Sequence, residues 1–208
     1  MVIYDFLYDA YRHFNKTLFS NVLPSKVVIT IERRTNIKGY FSSSRFEVNG
    51  ENINVSQITL NPSYFRSGEE KKVLSTLVHE MCHLYIDFKG KKGCYGYHSK
   101  EWSDLMEEVG LLPTSDGTKK GKKTGFRMTH LIIKGGKFEQ ECTKFLSEKK
   151  NFDVIENNES LKYAESELKK EKKSGIRVKY SCECSSVWGK SSLIIYCKKC
   201  GKQMKEIK

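Results

Sequence analysis

Residues 75–84 read Ser75-Thr76-Leu77-Val78-His79-Glu80-Met81-Cys82-His83-Leu84, and the reading of the whole chain starts there. Apolar side chains at Val73, Leu74, Leu77, Val78, Met81, Leu84 and Tyr85 recur at intervals of three and four, which predicts a helix with one buried face. His79 and His83 are four apart, so on that helix they share a face one turn apart and both imidazoles can reach a single ion. Glu80 stands beside the first histidine, off that face, where its carboxylate can touch water at the ion without ligating it. Two imidazoles and a carboxylate set between Leu77, Val78 and Leu84 lie at the edge of a core, where polar groups need partners. A metal supplies them. Zinc suits imidazole and keeps a position open for water in catalytic sites.

Two ligands do not hold a catalytic zinc. A histidine six residues after His83 would complete one common pattern, but that position is Lys89. His98 is the remaining candidate of the same type, and Asp87, Glu101 and Asp104 are acidic alternatives. The glycines of Lys89–His98 (KGKKGCYGYH) would let the loop turn back toward the helix. Cys94, in that loop, is a thiol that could approach the ion. His13 and His130 belong to no motif and are expected to be structural or exposed.

Outward from this helix, Ile3, Phe6, Leu7, Ala10, Tyr11, Phe14 and Leu18 predict a first helix over 3–18. Residues 27–34, 38–48 and 53–61 read as strands, the last two joined by a turn at Asn49-Gly50. Ser67 is a candidate cap for the metal-site helix, which should stop near Gly90. Ser99 should cap a third helix ending at Gly110. Residues 111–125 carry a loop signature, and a further helix is expected around 138–146. The result is an α+β fold: a small sheet plus the metal-site helix.

The C-terminal end has its own character. Four of the seven cysteines fall at Cys182-x-Cys184 and, twelve residues later, Cys197-x-x-Cys200. Without a secretion signal, clustered cysteines read as metal ligands rather than disulfides. Four thiolates closing a hairpin predict a ribbon around a structural zinc, although such a site also accepts iron. Cys142 reads as a small apolar filler. The domain boundaries that follow are 1–147 for the first domain, 148–175 for a charged linker or helix, and 176–208 for the ribbon.

The net charge of +12 is concentrated here: residues 168–208 hold twelve Lys or Arg and three acids. Lys190, Lys198, Lys199 and Lys202, with Trp188 interleaved, fit a nucleic-acid surface of cations for phosphates and a ring for stacking. The competing reading is a solvated lysine face with the aromatics packed inside. Hydrophobic residues at 38% and aromatics at 12% exclude wholesale disorder. No run of about 18 apolar residues offers a membrane span, and the amphipathic N-terminus is unlike a signal peptide. A cytoplasmic protein, free or associated with DNA, is expected.

Several segments together resemble the SprT-like (Spartan-type) family of zinc metallopeptidases: the helix STLVHEMCHL at 75–84, the loop GYHSKEW at 96–102, Leu23-Pro24 before a strand, and the terminal cysteine module. The resemblance implies a zincin-like metallopeptidase domain, with His79, His83 and His98 as ligands of a catalytic zinc and Glu80 as the catalytic acid/base. It implies a C-terminal zinc ribbon, so two zinc ions as cofactors, one catalytic and one structural. It further implies a protein substrate held on or crosslinked to DNA, hence a place in DNA repair, with DNA engaged through the basic end. Cys82 inside the motif departs from what is common at that position without touching an essential group. Two other functions compete with this one: a metallopeptidase unconnected to DNA, and a non-enzymatic ribbon adaptor whose helix is only structural.

Overall fold

The computed structural model describes residues 3–48, 53–65, 69–91, 96–148 and 177–207. The Asn49-Gly50 turn, Ser67, Cys94 and residues 149–176 of the charged segment lie outside them. The chain divides into two compact units, Met1–Glu156 and Asn157–Lys208, and each is described by itself.

Helix α1 (Ile3–Leu18) buries Phe6, Leu7, Ala10, Tyr11 and Phe14 along the stripe its spacing predicts. Near its C-terminal end, buried Asn15 exchanges two hydrogen bonds with the backbone of Leu23, accepting from its N–H and donating to its carbonyl. That closes the connection into β1 (Val28–Ile31). β2 (Gly39–Val48) and β3 (Ile53–Leu60) follow, and the order in the sheet is β1-β3-β2. β3 is central, parallel to β1 and antiparallel to β2. β2 is therefore an edge, with a register shift between Ser42 and Phe46.

Helix α2 (Glu70–Phe88) is the longest element and packs against β2, β3, α1, α3 and α4. Its apolar positions Val73, Leu74, Leu77, Val78, Met81, Cys82 and Leu84 are all buried in the hydrophobic core of this unit. A two-residue strand, β4 (Tyr97–His98), leads into α3 (Lys100–Val109), where the Ser99 hydroxyl accepts from the Trp102 amide at 3.3 Å as predicted. α3 stops at Gly110 in the left-handed region (φ 97°), where a Cβ would also meet the backbone nitrogens of Lys137 and Phe138 at 2.9 and 2.8 Å. Only glycine satisfies both demands.

The stretch read as a loop from 111 instead begins with a strand. β5 (Leu111–Thr114) pairs antiparallel with β7 (Thr129–Ile132), and β6 (Gly125–Phe126) pairs with β4. Pro113 is tolerated because β5–β7 is a two-stranded ladder with a free edge. Helix α4 (Lys137–Glu148) then closes the core with Phe138, Cys142 and Phe145. Cys142 is a buried filler, as expected, and burial pushes its thiol up to about 12.

The second unit holds a three-stranded antiparallel sheet in the order β10-β8-β9, from β8 (Arg177–Ser181), β9 (Ser186–Lys190) and β10 (Lys205–Ile207). Among the described residues its buried core is Tyr180, Cys197 and Met204. Among the described residues, four α-helices and small separate sheets give an α+β fold. No described helix is long and apolar enough to cross a membrane.

Candidate metal centre

α2 presents His79 and His83 on one face, and the short β4 strand delivers His98 beside them. One ligand atom from each of the three lies within 4.8 Å of the others. The ring centroids stand 5.2 Å (His79–His83), 5.6 Å (His79–His98) and 4.7 Å (His83–His98) apart. Two local causes place His98. Pairing of β4 with β6 puts it opposite Gly125, whose carbonyl accepts from its Nδ1 at 3.0 Å. The Ser99 cap then starts α3 immediately after it. With Nδ1 carrying the proton, Nε2 of His98 keeps its lone pair.

Trp102, one turn into α3 and 1% exposed, forms the wall behind the three rings. Its ring stacks on His83 at 5.1 Å and meets His79 and His98 edge-on at 4.9 and 4.4 Å. Its indole N–H has no hydrogen-bond acceptor among the described residues, so its contribution is packing. Trp102→Ala is expected to cost about 3–5 kcal/mol of stability. Trp102→Phe, which leaves no hydrogen bond broken, should cost less than half of that. Thermal unfolding of the two variants checks it; equal losses would show that the N–H matters.

Glu80 is 4% exposed, and no side chain or backbone group among the described residues hydrogen-bonds its carboxylate. Burial alone pushes its carboxyl up to about 8. Above it passes β2: a Cβ at Gly39 would come within 3.2 Å of Glu80 Oε1 and 2.9 Å of the Thr59 carbonyl. Strand and carboxylate are thus in direct apposition because position 39 has no side chain.

The electrostatics fit a cation. Burial, and then the neighbouring rings of His130, His83 and His98, hold His79 well below the ordinary imidazole range. Burial lowers His83 to about 3 and outweighs the Gly125 hydrogen bond in lowering His98. Three imidazoles held neutral, each with a ring nitrogen within 4.8 Å of the others', beside a buried carboxyl with no hydrogen-bond partner among the described residues, are a donor set of the kind zinc takes. A positive ion there would also draw Glu80 back toward its ionised form.

The acidic alternatives fall elsewhere. Asp87 accepts from Ser43 Oγ at 2.8 Å, Asp104 pairs with Lys100 at 2.8 Å, and Glu101 sits exposed in the first turn of α3. Cys82 is fully buried in the core, with its thiol raised well above the usual range by burial. Of the two roles expected for His130, structural or exposed, the structure shows the first: it is half-buried against the site. Its Nδ1 lies 3.1 Å from His79 Nδ1. Nothing in local spacing announces this, since β7 carries it to the site from 51 residues away.

In the second unit, one Sγ from each of Cys182, Cys184, Cys197 and Cys200 lies within 4.8 Å of the others. Backbone amides of Cys200 and Lys199 and the Ser185 hydroxyl favour the Cys197 thiolate, pulling it down to about 6. Four converging sulfurs, one already favoured as thiolate, fit a structural metal. Trp188 and Tyr196 are not inside: they are 66% and 65% exposed. Lys190, Lys198, Lys199 and Lys202 are exposed too, with Lys202 3.4 Å from Glu183.

Comparison with known protein families gives a match to the SprT-like family over residues 7–123, more than half of the chain. No solved structure compared with the chain matches it significantly. The matched stretch contains most of α1, the three-stranded sheet, the histidine helix and the loop that delivers His98, so the chain belongs to the SprT-like family.

Proposed function

We propose that the chain is a zinc-dependent endopeptidase with a zincin-like domain at 1–147, a charged linker at 148–175 and a zinc ribbon at 176–208, acting on proteins associated with or crosslinked to DNA. The observation that carries the reading is the convergence of His79, His83 and His98 next to the buried carboxyl of Glu80, which has no hydrogen-bond partner among the described residues. His79, His83 and His98 would hold the zinc. Bound there, it would supply Lewis acidity toward water and a peptide carbonyl. Glu80 would take the proton from water as its oxygen bonds to the carbonyl carbon, and deliver that proton to the amide nitrogen as the C–N bond breaks. The β2 edge, which passes over Glu80 at Gly39, offers unpaired backbone groups to an extended peptide.

Support for DNA comes from the second unit. Exposed Trp188 and Tyr196 among exposed lysines combine stacking faces with phosphate-seeking charge. Cys182, Cys184, Cys197 and Cys200 would hold the second, structural zinc. The test is cleavage of a DNA-binding protein substrate by the full chain, alone and with single-stranded or duplex DNA, before and after chelation. Stimulation by DNA and loss on chelation are expected. Chelator-sensitive cleavage that ignores both DNA and salt would leave a metallopeptidase unconnected to DNA. No cleavage in any condition, with metal bound, would favour the adaptor.

A further inference from the structure

His130 makes two polar contacts that end on a group of fixed polarity. His130 Nδ1 is 3.1 Å from His79 Nδ1, His130 Nε2 is 2.9 Å from Ser75 Oγ, and Ser75 Oγ donates to the Lys72 carbonyl at 2.8 Å. A carbonyl oxygen only accepts, so the direction of the whole chain follows. Ser75 spends its one proton on Lys72 O and must accept from His130 Nε2–H. His130 Nδ1 is then bare and must accept from His79 Nδ1–H. His79 is left with its lone pair on Nε2, the nitrogen not engaged by His130.

We propose that His130 is a positioning residue that fixes the tautomer and ring orientation of His79 for metal binding, with Ser75 fixing His130 in turn; this rests on the reading of His79, His83 and His98 as metal ligands. The arrangement is stiff at both ends. Ser75 lies one turn before His79 on α2, and His130 is held in β7 opposite Pro113 of β5, which follows directly from the Gly110 cap of α3. Ring orientation is thereby tied to the same helices that carry the ligands. His98 gets the equivalent restraint from the Gly125 carbonyl. His130 also lies beyond residues 7–123, the stretch that matches the family. An outer partner of this kind is typically worth 10–100-fold in metal affinity.

The experiment is a zinc titration of the histidine site in the full chain, by competition with a chromophoric chelator, after mild chelation has left about one zinc per chain on the cysteines. His130→Ala and His130→Phe, which cannot accept from His79, should bind zinc about 10–100-fold more weakly than wild type. His130→Asn should recover most of the loss, because its amide oxygen can replace Nδ1 as acceptor. Ser75→Ala should cost less than His130→Ala, since it removes only the group that orients His130. Affinities of His130→Ala and His130→Phe within twofold of wild type, while His83→Ala abolishes binding, would overturn the proposal and spare the metal site. So would His130→Asn binding no better than His130→Phe, which would reduce His130 to packing. Unchanged binding in His83→Ala would sink the metal reading itself, and this proposal with it. Melting temperatures of the metal-free variants identify any loss due to misfolding, and His130→Asn, the smallest perturbation, keeps the comparison decisive.

Discussion

Under the proposed function, Glu80→Gln is expected to keep zinc at the histidine site and to lose cleavage by about 10²–10⁴-fold. The substitution isolates chemistry because it changes so little else. Glu80 is 4% exposed, and in the metal-free fold burial pushes its carboxyl up to about 8, so at neutral pH a neutral acid is exchanged for a neutral amide of the same shape. No hydrogen bond among the described residues is broken. The amide cannot take a proton from water, and the three imidazoles remain in place to bind the metal. Metal analysis of the purified variant, beside a cleavage assay with DNA present, reads both halves. Wild-type turnover by Glu80→Gln would remove Glu80 from the reaction. Loss of zinc together with activity would make it a structural element of the site.

The ease of reading this site from the sequence varied with distance along the chain. His79, Glu80 and His83 lie in a single helical turn, and the apolar positions around them fix which face is buried, so periodicity alone placed them. His98 could be narrowed by residue type but not selected over Asp87, Glu101 or Asp104 without the family resemblance. What selects it physically is the pairing of Tyr97–His98 with Gly125–Phe126, two residues a side, too short a ladder to leave a pattern. Trp102 was legible in principle: it stands four residues from His98 across the Ser99 cap, so a helix beginning there returns its ring to the same side. His130 was not. It arrives through β5–β7, and β5 contains Pro113, which lowers any expectation of a strand. The lysines and Trp188 of the second unit were legible as residue types, but whether they face outward depended on the packing of Tyr180 and Met204 into its small core.

That core also sets the second large effect. Cys197→Ser, or removal of the metal from the cysteine cluster, is expected to unfold the second unit while the first keeps its structure. Among the described residues, Tyr180, Cys197 and Met204 are the buried hydrophobic residues there, worth about 1.5–3 kcal/mol each for the larger side chains. The Tyr180 hydroxyl adds a junction, lying 2.8 Å from the Lys190 carbonyl and accepting from the Leu193 amide at 2.8 Å. A structural zinc on four thiolates is worth about 10–16 kcal/mol, more than those contacts together. The first unit has its own core of helices and sheet, in which none of the four cysteines takes part. Two-dimensional amide NMR of the full chain distinguishes the units. Signals of Arg177–Ile207 should collapse to the unfolded range in Cys197→Ser while those of α1 to α4 stay dispersed. Under the proposed function, stimulation by DNA should vanish with them, while basal chelator-sensitive cleavage survives. A second unit that stays dispersed after complete metal removal would mean that its hydrogen bonds and three buried side chains suffice, and the sulfur cluster would lose its structural role.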